Sequence, residues 1–268
     1  MPPWLRLGVE VWDLPAGRRE DHLVAGHETL ARIAVLTGVP GASDARSAMG
    51  TDEPRFATAV ARAALRDDAS AGTALDAANR ALFDPSRTGH RTQASVTAIV
   101  ATVTRHGTEI LAAGAAGAYA LRDGDWFALV PGTPLTSDGE ALLRGWSMEH
   151  PEATADERAE AVVRLVDDPA LWRNPAAGSF ARLSPDVVTI DNDWEELVLA
   201  SEGARLDPSL LGRLEGWIAG LRAWEAQHAV ALGRGGAPVH DDVTVIRVRR
   251  LPASADGEQA PGELGDGR

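Results

Sequence analysis

"SVTAIVATVTRHGTEILAAGAAGAYALRDGDWFALV" (residues 95–130) decides the fold class. Three apolar, β-prone stretches, 95–103, 108–122 and 126–130, are joined by the short turn signals "RHG" and "DGD". Connections this short cannot cross over a sheet, so the block predicts antiparallel hairpins, read here as one meander.

Outward from this block, strands and helices alternate in groups. Toward the N-terminus, "WLRLGVEVW" (4–12) alternates apolar and polar residues, with Leu5, Leu7, Val9 and Val11 on one face. "PAGRRED" turns the chain into a short strand "HLVAG", and "TLARIAVLTGVPGAS" (29–43) is an apolar run closed by a Gly/Pro loop. Residues 55–66 and 71–83 predict two Ala-rich helices. Phe56, Val60 and Ala63 mark the expected buried stripe of the first, and Leu75, Ala78 and Leu82 that of the second.

Toward the C-terminus, residues 154–166 predict a helix with Thr154 and Glu157 as a capping box. "DVVTI" (186–190), "ELVLA" (196–200) and "VTVIRVR" (243–249) read as strands. Asp207 caps a further helix that has Pro208 at its first position. Hairpins and helices in this order predict an α+β fold of antiparallel sheets covered by helices. Residues 1–250 read as one domain and 251–268 as a disordered, Gly/Pro/Glu-rich tail.

Composition bounds the chemistry. The chain has 268 residues, 44% of them hydrophobic, a net charge of −13 and no cysteine. Disulfides and thiolate metal sites are excluded. The acidity disfavours nucleic acid and anionic membranes as partners. No apolar run reaches the roughly 20 residues of a membrane span, so a soluble cytoplasmic protein is expected.

Carboxylates stand at strand ends in three places: Glu20–Asp21, Glu202 after "LVLAS", and Asp241–Asp242 before the last strand. Such residues also serve as turn formers or solvated charges. Brought to one rim, an all-oxygen set of this kind suits Mg²⁺ or Mn²⁺.

Five stretches, in order, resemble the metal-dependent (type 2C) serine/threonine protein phosphatases. "RREDHLVA" is similar to the family's acidic N-terminal motif, and "IAVLTGVPGAS" to its strand ending in Asp-Gly-x-Gly-Gly. "ILAAGAAGAYALRDGDWFAL" resembles the Gly-Asp-Ser-Arg-x-Tyr block, "ELVLASEGA" the Leu-x-Ser-Asp-Gly segment, and "HDDVTVIRVR" the closing Asp-Asp/Asn-x-Thr strand. The resemblance implies a four-layer αββα sandwich of two antiparallel sheets. It also implies a metal site built from Glu20, Asp21, Glu202, Asp241 and the Gly38 carbonyl, with Arg18 or Arg19 as phosphate-binding candidates. In the family two ions polarise the phosphate and activate a bridging water. Its substrates are phosphoserine and phosphothreonine in proteins.

Departures from the family pattern fall at the centre of that site. Thr37 stands where the family has the Asp that bridges both ions, and a neutral hydroxyl cannot offset the repulsion of two divalent cations. Glu202 replaces Asp, Gly114-Ala115-Ala116-Gly117 replaces Gly-Asp-Ser-Arg, and Asp242 replaces the usual Asn. The expectation is a Mg²⁺ or Mn²⁺ site reduced to one ion or none, in a pseudophosphatase that binds a protein partner, phosphorylated or not. The alternative is an active phosphatase with a rearranged site, in which a neighbouring acid such as Asp44 replaces the lost bridge.

Eight Trp against one Tyr and four Phe favour helix-to-sheet packing over a peptide groove lined by Trp146, Trp172, Trp217 and Trp224. The seven His lack zinc-hydrolase spacing, and no nucleotide-binding loop is present.

Overall fold

The computed structural model describes residues 4–14, 20–39, 53–66, 70–86, 95–131, 136–153, 169–171, 175–179, 181–201, 204, 206–227 and 243–251. Ten strands form two five-stranded antiparallel sheets. The strands are β1 (Leu7–Leu14), β2 (Glu20–Gly26), β3 (Leu30–Val39), β4 (Ser95–Thr104), β5 (Thr108–Ala113), β6 (Ala116–Arg122), β7 (Asp125–Pro131), β8 (Asp186–Ile190), β9 (Glu196–Ser201) and β10 (Val243–Arg250). One sheet has the order β1-β10-β9-β6-β7, the other β2-β3-β4-β5-β8. The helices are α1 (Glu53–Leu65), α2 (Ala71–Leu82), α3 (Ser137–Glu149), α4 (Pro208–Leu211) and α5 (Leu214–Gln227).

Strand periodicity builds four layers. On β3, Ile33 and Val35 join β9 residues Leu197 and Leu199 in the core between the sheets. The alternate residues Ala34 and Leu36 face α1 and α2. On β10, Val243 and Val245 pack beneath α5 with Leu214, Ile218 and Leu221, while Ile246 and Val248 point inward. The expected αββα sandwich is therefore the observed one. No helix among the described residues is long and apolar enough to cross a membrane.

The expected meander is corrected. Residues 108–122 are not one strand. Gly114 adopts φ +84°, a conformation open to glycine, and breaks the run into β5 and β6. β5 pairs with β4 in one sheet and β6 with β9 in the other, so Gly114–Ala115 carries the chain across the sandwich. The second hairpin does follow its sequence: Asp123 (φ 52°) and Gly124 (φ 82°) give the left-handed pair that a two-residue β-turn requires.

The buried stripe of α1 is also corrected. Phe56 is 60% exposed, whereas Ala57, Ala61 and Leu65 are fully buried. Small residues let the helix axis approach the sheet, and this packing outweighs burial of one large ring. The second stripe holds for Leu75 and Ala78, with Leu82 partly buried. Asp207 accepts a hydrogen bond from Ser209 N–H at 2.8 Å and caps α4, with Pro208 at its start. Helix α3, capped by Thr136, stands where the sequence reading placed no element. The helix expected over 154–166 and the tail from 252 lie outside the described residues.

Most tryptophans are packing residues. Trp194 is buried and its indole N–H donates to Thr108 Oγ1 at 2.9 Å. Trp217 and Trp224 of α5 meet edge to face at 5.5 Å, and Trp217 donates to the Ala204 carbonyl. Trp146 stacks on His150 at 4.6 Å, and Trp172 lies outside the described residues. Tyr119 donates to the Leu206 carbonyl at 2.6 Å. Burial, then the Asp207 charge, pushes its hydroxyl up to about 12.

Candidate functional site

Strand register gathers the relevant strand ends at one rim. Glu20 pairs with Thr37, and Thr37 with Thr97. Ala98 pairs with Ala113, after which Gly114–Ala115 crosses to the other sheet. There Ala116 pairs with Ser201, Val245 with Ala200, and Asp13 with Thr244. The residues before Glu202 and after Asp242 are Ser201 and Val243, so both strands meet the rim next to the predicted acids.

Parity along each strand fixes which side chains face the space between the sheets. Thr37, Thr97, Ser201 and Thr244 continue the inward rows that contain Val35, Ile99, Leu199 and Ile246. Thr97, Ser201 and Thr244 are buried and Thr37 half-buried. The inner core thus ends in a layer of neutral hydroxyls. Thr97 approaches the Thr37 carbonyl at 3.5 Å, and Thr244 N–H donates to Ser201 Oγ at 3.1 Å.

Asp21 is on the other face. It pairs with Leu36, which packs against the helices, and its carboxylate receives Arg62 Nη1 from α1 at 2.9 and 3.1 Å. The backbone N–H of His22 donates to the same carboxylate at 2.8 Å. Asp21 is therefore satisfied by a guanidinium and a backbone amide on the helix side of the sheet. The resemblance joined Glu20 and Asp21 as ligands of one site, whereas the Asp21 carboxylate is engaged on the helix face.

Gly38 sits opposite Val96. Val96 spends both its N–H and its carbonyl on Ala177, at 2.9 Å each. Directly opposed antiparallel residues either exchange both hydrogen bonds or neither, so the Gly38 carbonyl points away from β4, toward the β2 side. The described part of β2 begins one position earlier, at Glu20. That orientation is compatible with a backbone ligand. Arg18, Arg19, Glu202, Asp241 and Asp44 lie outside the described residues, and Glu20 is placed by its backbone alone.

The chain at Gly114 runs too close to Thr97 to admit a side chain. A Cβ on this residue would lie 2.4 Å from Thr97 Cγ2 and 2.7 Å from Thr97 Cβ. The sheet-to-sheet crossing is thus locked against the hydroxyl layer.

Beside that layer, on the facing edge strands, lies a pair that the sequence reading did not single out. Asp13 on β1 has its carboxylate 3.7 Å from His22 Nδ1 on β2, and accepts the Thr244 hydroxyl at 2.8 Å. The signal was hidden because the two residues belong to different sheets. Among the described residues, no three of His, Cys, Asp and Glu come together as a metal-binding group. What this rim can do with the described residues is accept hydrogen bonds, donate them from hydroxyls, and offer one carboxylate–imidazole pair.

No family model and no curated protein sequence matches the chain. Solved structures do. A bacterial serine phosphatase superposes with a TM-score of 0.55 at 16% identity, covering 92% of this chain and 99% of its own. The serine/threonine phosphatase Stp1 from Staphylococcus aureus gives 0.55 at 15%, over 92% and 96%. The catalytic domain of the serine/threonine protein phosphatase PstP, in complex with two manganese ions, gives 0.52 at 17%, over 92% and 99%. The chain therefore has the fold of the type 2C bacterial serine/threonine phosphatases along nearly its whole length.

Proposed function

We propose that this chain, built on the type 2C phosphatase fold, is a catalytically impaired relative that acts by binding a protein partner at the rim. The observation that supports the reading is the hydroxyl layer. Thr37 holds the inward strand position where the family's bridging Asp would stand, between Glu20 and Thr97 in register. Two divalent ions a few ångströms apart require anionic ligands between them, and a threonine side chain supplies none at neutral pH. Asp21 is held by Arg62 and does not offset that loss.

In this reading a Mg²⁺ or Mn²⁺ ion, where bound, draws on Glu20, Glu202, Asp241 and the Gly38 carbonyl. It would orient a phosphate but would lack the second ion that activates water. Arg18 or Arg19 would meet the phosphate oxygens. The ligand class is a phosphoserine or phosphothreonine segment of a cytoplasmic protein. The solved structures of similar fold support that class, since two of them are of serine/threonine phosphatases.

The test is hydrolysis of para-nitrophenyl phosphate in Mn²⁺, run beside fluorescence anisotropy with phosphothreonine and unphosphorylated peptides. The expected result is no turnover above that of Asp241→Ala, with preferential binding of the phosphorylated peptide. Turnover that Asp241→Ala abolishes would overturn the reading in favour of an active phosphatase with a rearranged site.

A further inference from the structure

We propose that Asp13 and His22 are paired ligands of a cation site between the edge strands β1 and β2, and that the imidazole makes this site selective for Zn²⁺ over Mg²⁺. The site goes beyond the partner-binding reading and stands whether or not the rim hydrolyses phosphate.

Geometry is the first argument. Asp13 Oδ2 and His22 Nδ1 are 3.7 Å apart, too long for a hydrogen bond. Two ligands of a tetrahedral ion with bonds of about 2.1 Å lie roughly 3.4 Å apart. A shift of a few tenths of an ångström would let both atoms bind one ion. The two strands belong to opposite sheets, so the ion would tie the open edge of the sandwich together.

The surroundings of Asp13 are the second argument. Its other oxygen, Oδ1, accepts the Thr244 hydroxyl at 2.8 Å, and Thr244 is itself fixed by its N–H to Ser201 Oγ. Ligating carboxylates are themselves held by outer-shell hydrogen bonds, and the Thr244 hydroxyl plays that part for Asp13 while leaving Oδ2 open to an ion. Both side chains remain reachable, with 48% of Asp13 and 38% of His22 exposed, so an ion can enter and keep water in its remaining positions.

Donor chemistry sets the selectivity. Imidazole suits Zn²⁺ and similar transition ions, whereas Mg²⁺ favours oxygen ligands and octahedral geometry. The pair therefore favours a different ion from the one that an all-carboxylate rim would hold.

The experiment is calorimetric titration of the full chain with Zn²⁺ and with Mg²⁺ in a non-chelating buffer. Wild type should bind one Zn²⁺ at least tenfold tighter than Mg²⁺. His22→Gln and Asp13→Asn should each weaken Zn²⁺ at least tenfold. His106→Gln, in the β4–β5 turn at the opposite end of the sandwich, should leave it unchanged. The side-chain ¹H–¹⁵N spectrum should show the His22 ring nitrogens shifting on Zn²⁺ addition. Should Asp13→Asn unfold through loss of the Thr244 bond, His22→Gln decides alone, because it leaves that bond intact. Unchanged Zn²⁺ affinity in His22→Gln would mean an Asp–His contact only and overturn the proposal, whereas Mg²⁺ uptake that His22→Gln leaves unchanged belongs to the rim carboxylates. No phosphorylated ligand takes part, so failure here leaves the partner-binding reading standing, and failure of that reading leaves this one.

Discussion

Two polar regions of the sandwich solve the same problem in opposite ways. On the outer face of the first sheet, beyond α5, Arg247 and Arg249 of β10 interleave with Glu10 of β1 and Glu196 of β9. Arg247 Nε reaches Glu196 at 2.6 Å, and Arg249 Nη1 reaches Glu10 at 3.2 Å. Every charge there is offset by a cross-strand neighbour within the chain. At the rim, strand ends present hydroxyls where compensation would otherwise require a cation. Asp21 leans on a helix arginine, and Asp13 on a threonine hydroxyl and an imidazole. The charged face is complete in itself, whereas at the rim the described inward residues Thr37, Thr97, Ser201 and Thr244 are neutral.

The largest expected effect comes from breaking the rim's crossing. Gly114→Ala places a methyl within 2.4 Å of Thr97 and forces φ +84° on a side-chain-bearing residue. Urea unfolding should show a loss of about 3 kcal/mol or more. Thr97→Ala should recover only part of it, because Thr97 Cβ remains 2.7 Å away. A loss below about 1 kcal/mol would mean that the crossing does not lock the sheets.

Alkaline pH should come next. The folded-state value of Tyr119, about 12, lies above the ordinary phenol value of 10.0. The protonated phenol is favoured in the folded protein, so its contribution is fully present below pH 10 and is lost as pH rises toward 12. The cost is on the order of 2 kcal/mol. Tyr119→Phe cannot ionise, so its stability should fall less over that range, although it starts lower through loss of the bond to the Leu206 carbonyl. Equal slopes for the two proteins would remove Tyr119 from the account.

The charged face should be less costly to damage. Arg247→Gln leaves Glu196 with Arg249 and Glu10 with Arg249, so the network is thinned rather than broken. Unfolding should register about 1–2 kcal/mol, weakened further by salt.

How much of this was legible in the sequence follows from range. Hairpin turns, helix caps and the layer alternation are local patterns, so "DGD", Asp207 and the Ile33–Leu36 run announced their structures. The Gly114 crossing was not legible, because "AAGAAGAYA" is as apolar as one long strand and only φ +84° separates the halves. The α1 stripe misled because Phe56 outweighs Ala57 and Ala61 in hydrophobicity, while packing rewarded small size. The reading of Thr37 as a missing charge rests on resemblance alone, since no local pattern marks a strand threonine as a replaced ligand. The Asp13–His22 pair needs two sheets to exist and leaves no trace in spacing.

Converting the rim to the chemistry of a charged site is the direct test of the contrast. Thr37→Asp should raise Mn²⁺ affinity about tenfold, read as a larger rise in melting temperature between EDTA and millimolar Mn²⁺ than wild type shows. No added Mn²⁺ response would mean that more than the bridge is absent.

The smallest effect isolates the helix-side acid. Arg62 holds both oxygens of Asp21, and the pair is partly exposed, with 39% and 28% of the two side chains accessible. A cation drawing on Asp21 must displace this guanidinium, so Arg62→Gln lowers the competition while keeping a hydrogen-bond donor near. Stability should fall by less than about 1 kcal/mol, as for other exposed ion pairs. Mn²⁺ affinity should rise a few-fold in the Thr37→Asp background and stay flat in wild type, because the released carboxylate lies on the helix face and reaches an ion only if one is already held at the rim. A rise in wild type as well would place the cation on the helix side of β2, and the hydroxyl layer would then have no bearing on metal binding.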